Sequence, residues 1–287
     1  MFQNLQQLTL MAEQENKAFW QIVLEQDSKE KGIPEKEIFD KMQSVYQVMK
    51  ETDMSYDAVK SASGMVGTSG RMLEQFHHTV PSLLGDFLQQ VMERALKTGE
   101  CNACMKRIVA APTAGSCGIL PSVLISYQSI KKCNDEELTK ALFTAAGIGA
   151  VIANKASIAG AQGGCQAEIG SASAMAAGAL VQLQGGNSEQ IIHGAAIALK
   201  GLLGLVCDPV AGLVEVPCVK RNVIGAVNAV TSADMAIAGI KSVIKPDEVI
   251  EAMDEIGRNM DQKYKETSEG GLAATKTARE IAKALNI

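Results

Sequence analysis

Apolar residues recur at three- and four-residue steps through "LQQLTLMAEQENKAFWQIVLE" and again through "IPEKEIFDKMQSVYQVMKE", where a proline opens the run at a position the first helical turn tolerates. The charges between them predict amphipathic surface helices from Phe2 to about Lys60. "SASGMVGTSG", Ser61 to Gly70, reads as a Gly/Ser loop, and a helix is expected over "PSLLGDFLQQVMERALKTG", Pro81 to Gly99. From Ala110 to about Gly239 the pattern changes. Small residues dominate, charges thin out, and glycines sit inside helical periodicity, as in "LTKALFTAAGIGAVIANKASIAG" and "IGSASAMAAGALVQL". Glycine inside a helix costs about 1 kcal/mol relative to alanine. Its repeated use there points to close helix packing or to backbone approaching a ligand. Beyond Pro246, "DEVIEAMDEIGRNMDQKY" returns to an amphipathic helix, and "TSEGGLAATKTA" links it to a short last one.

Alternating β-branched runs are scarce and aromatic residues make up only 4% of the chain, so strands are not expected. The pattern predicts an all-α fold: one helical domain over residues 1–287, with polar helices of residues 1–60 packed around a buried small-residue core at 110–240. Hydrophobic residues at 47% of 287 positions can supply that core. A net charge of -5, with no dense run of Lys or Arg, offers no field for nucleic acid or anionic lipid. No apolar run reaches the roughly 20 residues that span a bilayer, and the first residues lack a basic-then-apolar leader. A cytoplasmic protein with small-molecule or protein partners is expected.

Seven cysteines without an export signal are expected to be reduced, several of them as small buried hydrophobes. Cys101 and Cys104 form "CNAC", but a lone pair without histidine partners is half a zinc site, and this one ends a helical pattern. It is read as structural. Cys133 in "KKCNDEE" reads as a surface or loop thiol, and Cys117 in "PTAGSCG" as packing or site lining. Cys165, Cys207 and Cys218 differ: the first follows a Gly-rich turn in "AGAQGGCQAEIG", and the other two flank the Pro/Gly-broken "CDPVAGLVEVPC". Irregular backbone can aim a thiolate and offer amides to sulfur. None of the three histidines, His77, His78 and His193, lies near these loops in sequence. Thiolate-only ligation favours an iron–sulfur centre over zinc.

Three segments, "IVAAPTAGSCGILPSVL", "GGCQAEIGSASAMAAGALV" and "CDPVAGLVEVPCVKRN", resemble the signature segments of the iron–sulfur-dependent L-serine dehydratases, and specifically the α-subunit of the two-chain form. The resemblance runs from about Ala58 through "ETSEGGLAATKTA", with the segments in the family's order. It implies a helical fold and a [4Fe–4S] cluster held by Cys165, Cys207 and Cys218. It also implies an iron left open as a Lewis acid toward the β-hydroxyl of L-serine, giving pyruvate and ammonia without pyridoxal phosphate. The tight turn Thr113, Ala114, Gly115, Ser116 precedes a helix whose free amides favour an anion. On the residues, Ser116 reads as a plain helix cap; the resemblance assigns Thr113, Gly115 and Ser116 to the substrate carboxylate.

Glu168 and Asp208 follow cysteines and are candidates to orient the substrate ammonium or to act as acid–base groups, although Asp before Pro also starts turns. Lys155 in "IANKASIAG" is either a reactive lysine or a solvated one at a helix end. The family's Ser-rich, then His-Thr motif lies on a β-subunit in two-chain members. "FHHTV" imitates it without the serines, so His77 and His78 read as surface or core-edge histidines and the base is expected on a β-subunit partner. Three other readings stay open: an iron–sulfur lyase acting on L-cysteine, a cluster-binding sensor or structural subunit without catalysis, and a plain helical scaffold protein.

Overall fold

The computed structural model describes residues 2–287. Three amino-terminal helices, α1 (Leu5–Gln14), α2 (Phe19–Lys31) and α3 (Glu35–Met54), are followed by α4 (Ser69–Thr79) and α5 (Asp86–Ala103). The small-residue region then forms α6 (Ile119–Lys131), α7 (Asp135–Lys155), the single turn α8 (Gly160–Gly163), α9 (Ser171–Leu183), α10 (Ser188–Lys200) and α11 (Cys218–Ile237). Two helices close the chain, α12 (Pro246–Asn259) and α13 (Lys276–Ala284). Among the described residues there is no strand, only an isolated parallel bridge between Cys207 and Lys265. The fold is all-α, as the apolar periodicity predicts.

Helix α9 is buried from Ser171 to Val181 and packs against α6, α7, α10 and α11. Small side chains make that approach possible. A Cβ on Gly178 would stand 2.2 Å from Cδ1 of Ile148, inside any allowed contact. The starts of the flanking helices are written in the sequence. Asn134 and Glu137 satisfy each other's backbone N–H at the start of α7, and Asn187 and Gln190 do the same for α10.

The amino-terminal helices contribute more to the core than surface helices would. They bury Leu5, Leu8, Phe19, Ile22, Tyr46 and Met49, and Phe39 of α3 stacks on Phe143 of α7 at 5.8 Å. Each keeps its charged face outward, which is why the pattern looked polar. Two predicted boundaries shift. Helix α5 starts at Asp86 with Gly85 at its cap, not at Pro81, and it continues through Gly99 to Ala103. Gly99 does not end the helix because it lies against Val219 of α11, where a Cβ would already be 3.4 Å from that residue's Cα. Helix α12 stops at Asn259, short of Tyr264, whose carbonyl accepts from the Cys207 N–H. Among the described residues, no helix is long and apolar enough to cross a membrane.

Candidate active site

The three cysteines singled out by their irregular backbone come together. Cys165 lies where α8 breaks at Gly164, just before a π-helical turn, Gln166–Gly170, that leads into α9. Gln166, fully buried, ties this turn to the Cys207 segment. Its N–H donates to Leu205 O at 2.9 Å, its Oε1 accepts from Gly204 N at 2.8 Å, and its Nε2 donates to Met253 O of α12 at 3.0 Å. Cys207 is held on its other side, its N–H donating to Tyr264 O at 2.8 Å and its carbonyl accepting from Glu266 N at 2.9 Å. The loop from Pro209 returns through Ala211 and Gly212, both left-handed, and closes with Val210 N donating to Val216 O at 2.8 Å. Cys218 then opens α11.

All three thiols are buried, at 2%, 4% and 8% exposure. Cys207 hydrogen-bonds Cys165, and Arg221, one turn into α11, reaches back to Cys165, to Val206 O at 2.7 Å and to Asp208 at 2.9 Å. The bond from Cys207 and the Arg221 charge hold the Cys165 thiol below its ordinary range against the burial that opposes them. The same bond and burial push Cys207 well above it, and burial with the neighbouring Cys165 charge pushes Cys218 up to about 12. Metal ligation requires thiolates, so loading would release protons here.

The donor set is three clustered thiols without a histidine, which suits an iron–sulfur centre. Among the described residues, no group of three or more His, Cys, Asp or Glu closes around a point for one metal ion. A cluster asks for something different, since each thiolate binds its own iron. The residues therefore fit a cluster in chemistry.

Beside the thiols lies the Thr113–Ser116 turn. Ser116 is fully buried, and its hydroxyl is turned inward, donating to Thr113 O at 3.3 Å and meeting Thr113 Oγ1 at 3.1 Å. These bonds close the turn on itself; α6 is capped by Gly118 without a side-chain bond, so Ser116 is not the helix cap its position suggests. Between turn and cysteines stands Glu168. A Cβ on Gly115 would lie 3.2 Å from its Oε1; one on Gly160 would lie 2.9 Å from its Oε2 and 3.0 Å from Cys207 Sγ. Only the two glycines leave room for the carboxyl. Burial raises Glu168 above the usual carboxylate range, opposed by a hydrogen bond from Thr113 and assisted by Glu266.

The other candidates are placed elsewhere or are fully engaged. Asp208 is 3% exposed and accepts from Arg221 and, at 2.7 Å, from Leu272 N. It anchors the "SEGGLAA" segment, where a Cβ on left-handed Gly271 would stand 2.4 Å from its Oδ2. Lys155 pairs with Glu251 at 2.8 Å and Asp247 at 4.0 Å, joining α7 to α12 rather than entering the cysteine site. His77 pairs with Glu93, and His193 Nδ1 accepts from Ser242 N at 3.2 Å. Cys101 and Cys117 are buried toward Thr52 O and Thr98 O; Cys104 meets Val59 O at 3.4 Å.

Sequence reasoning missed Arg221, Asn222, Gln166 and Gly160. The available signal was spacing: in "CVKRN", positions three and four beyond Cys218 share its helix face.

Fold and site together define a helical protein with buried thiols and a carboxyl beside the Thr113–Ser116 turn. The chain belongs to the serine dehydratase alpha chain family, whose model matches residues 14–273. It is 44% identical to the probable L-serine dehydratase, alpha chain, of Bacillus subtilis over 99% of this chain and 95% of that protein. To the L-serine dehydratase, alpha chain, of Peptoniphilus asaccharolyticus it is 44% identical over 91% of this chain and 90% of that one. It is also 49% identical to L-serine dehydratase TdcG of Escherichia coli over 62% of this chain, a match spanning 40% of that protein.

Proposed function

We propose that this chain is the α-subunit of an L-serine ammonia-lyase, which removes the α-proton and β-hydroxyl of L-serine and releases pyruvate and ammonia. Relatives named L-serine dehydratase, matched across nearly the whole chain, support the activity. The observation that carries the mechanism is the placement of Glu168 between the Gly115 turn and Cys207. Cys165, Cys207 and Cys218 would hold a [4Fe–4S] cluster, which when bound supplies a Lewis-acidic iron toward the substrate hydroxyl. Thr113, Gly115 and Ser116 are assigned to the substrate carboxylate, with the Thr113 and Ser116 N–H groups already bonded within the turn. Glu168, whose carboxyl burial raises above the usual range, is assigned to pass a proton to the departing hydroxyl oxygen. Arg221 offsets the thiolate charge, and Asp208 holds Arg221 in place.

The base that takes the α-proton is assigned to a β-subunit. His77 and His193 are engaged away from the pocket, and the L-serine dehydratase of E. coli contains a further portion that this chain does not match. The decisive experiment is anaerobic reconstitution of this chain with a β chain, followed by pyruvate release from L-serine and from L-cysteine. We expect serine to be preferred, with about four iron and four sulfide per α chain. Turnover of cysteine without serine, or serine turnover by iron-free protein, would overturn the reading.

A further inference from the structure

Asn222 stands one turn beyond Cys218 on α11 and is 1% exposed. Its side-chain Nδ2 donates to Gly115 O at 2.8 Å and to Cys218 O at 3.0 Å, while its Oδ1 accepts from Gly118 N at 2.8 Å. One planar amide thus bonds both sides of the Gly115–Gly118 turn, 107 and 104 positions away in sequence, and the backbone of Cys218 one turn back on its own helix. No aliphatic or acidic side chain can do this, because two carbonyls require N–H donors and one N–H requires an acceptor. The space is closed as well. A Cβ on Gly118 would lie 3.1 Å from Asn222 Oδ1 and 2.6 Å from Ala95 O, and one on Gly99 would lie 3.7 Å from Nδ2.

We infer that Asn222 is a positioning residue that sets the spacing between the carboxylate turn and Cys218. The inference rests on the proposed serine dehydratase reading. A substrate gripped by its carboxylate at Thr113–Ser116 and presented by its β-hydroxyl to the cysteine side bridges two segments that share no covalent proximity. Asn222 is the strut between them. Its loss lets the turn drift, and a shift of about 1 Å at a reacting centre can cost on the order of 10²-fold in rate.

The test uses the reconstituted α–β enzyme. Asn222→Asp keeps the acceptor for Gly118 but removes both donors; Asn222→Leu removes all three bonds. Asn228 is the control, since its amide lies on the same helix and donates to Ser173 Oγ and Ala198 O, away from the turn. Bound iron, melting temperature, serine kinetics and the affinity for L-alanine, which has the carboxylate and ammonium but no hydroxyl to lose, are measured for each. Per bound iron, the Asn222 variants are expected to bind L-alanine about tenfold more weakly and to lose about 10²-fold in serine kcat/KM, whereas Asn228→Asp melts lower but keeps L-alanine affinity within about twofold. Asn222 variants that melt lower yet bind L-alanine like the wild type overturn the inference alone. A wild-type enzyme that neither binds L-alanine nor turns over serine overturns the functional reading and the inference with it. Should both Asn222 variants fail to fold, hydrogen exchange in the wild type decides: the Gly118 amide must be strongly protected and slow further with L-alanine, and exchange unaffected by L-alanine counts against the strut.

Discussion

Cys165 and Cys207 share a hydrogen bond under Arg221, whereas Cys101 lies beneath α3 with its thiol toward Thr52 O and burial raising it to about 11. The bond from Cys207 and the Arg221 charge outweigh burial at Cys165, whereas burial dominates at Cys101. Cys165→Ser, Cys207→Ser and Cys218→Ser should each abolish iron and sulfide retention after anaerobic reconstitution, while Cys101→Ser and Cys104→Ser keep it. Iron lost from the second pair and kept by the first three would refute the ligand assignment. Gly160 gives a steric test of the same pocket. Alanine there places a methyl 2.9 Å from Glu168 Oε2 and 3.0 Å from Cys207 Sγ, so one of them must move. Gly160→Ala should fold normally by circular dichroism yet lose about 10²-fold in serine kcat/KM; wild-type kinetics would remove Glu168 from the mechanism.

Helices are joined here by polar contacts at their ends as much as by apolar faces along their lengths. Glu100, 1% exposed on α5, accepts from the N–H groups of Gly67, Ser69 and Gly70 and from Tyr56 Oη, so the start of α4 is capped by a carboxylate from another helix. Asp135, the first residue of α7, receives Lys50 at 2.6 Å, Gln128 at 2.7 Å and Gln47, which ties α3 and α6 to it. Lys50 chiefly, with the two glutamines, holds the Asp135 carboxyl below its ordinary range against partial burial. A carboxyl lowered in the folded state binds fewer protons there than in the unfolded chain. Its contribution is therefore present above the unfolded value near 3.9 and fades as pH falls through the folded one. Asp135→Asn should cost about 1 kcal/mol in urea unfolding at pH 7, with the gap to wild type closing as pH drops below about 4. A gap that is constant with pH would show that charge is not what Asp135 contributes.

At the scale of the whole molecule, the α-helical body gathers three buried thiols, the Glu168 carboxyl and the Thr113–Ser116 turn, and His77 and His193 are engaged elsewhere. A second subunit supplying the base would dock over that site and bury at least about 1,000 Å² if the complex is stable. The cluster-loaded chain by itself should release little pyruvate from L-serine, and addition of a β chain should restore turnover together with a shift in sedimentation to a larger species. Full turnover by the isolated chain would place the base among its own residues and remove the need for a partner.

Helical class, the small-residue core and the irregular backbone around Cys165, Cys207 and Cys218 were legible in the sequence, because each depends on local pattern. A 3.6-residue apolar repeat needs only its own neighbours to be read, and thiols beside Gly and Pro announce irregular backbone. The expectation of a β-subunit and of cluster chemistry rests on the resemblance of three segments, not on pattern. What the tertiary structure decided is which residues meet. It closed Asp208 onto Arg221 and Leu272, drew Lys155 to α12, and brought Asn222 to Gly115 across 107 positions. A buried Asn in "CVKRN" has the same local signature as one facing water. Only the packing of α5, α11 and the Thr113–Ser116 turn against one another settles which way it faces, because that packing is the sum of contacts between segments that no local pattern encodes.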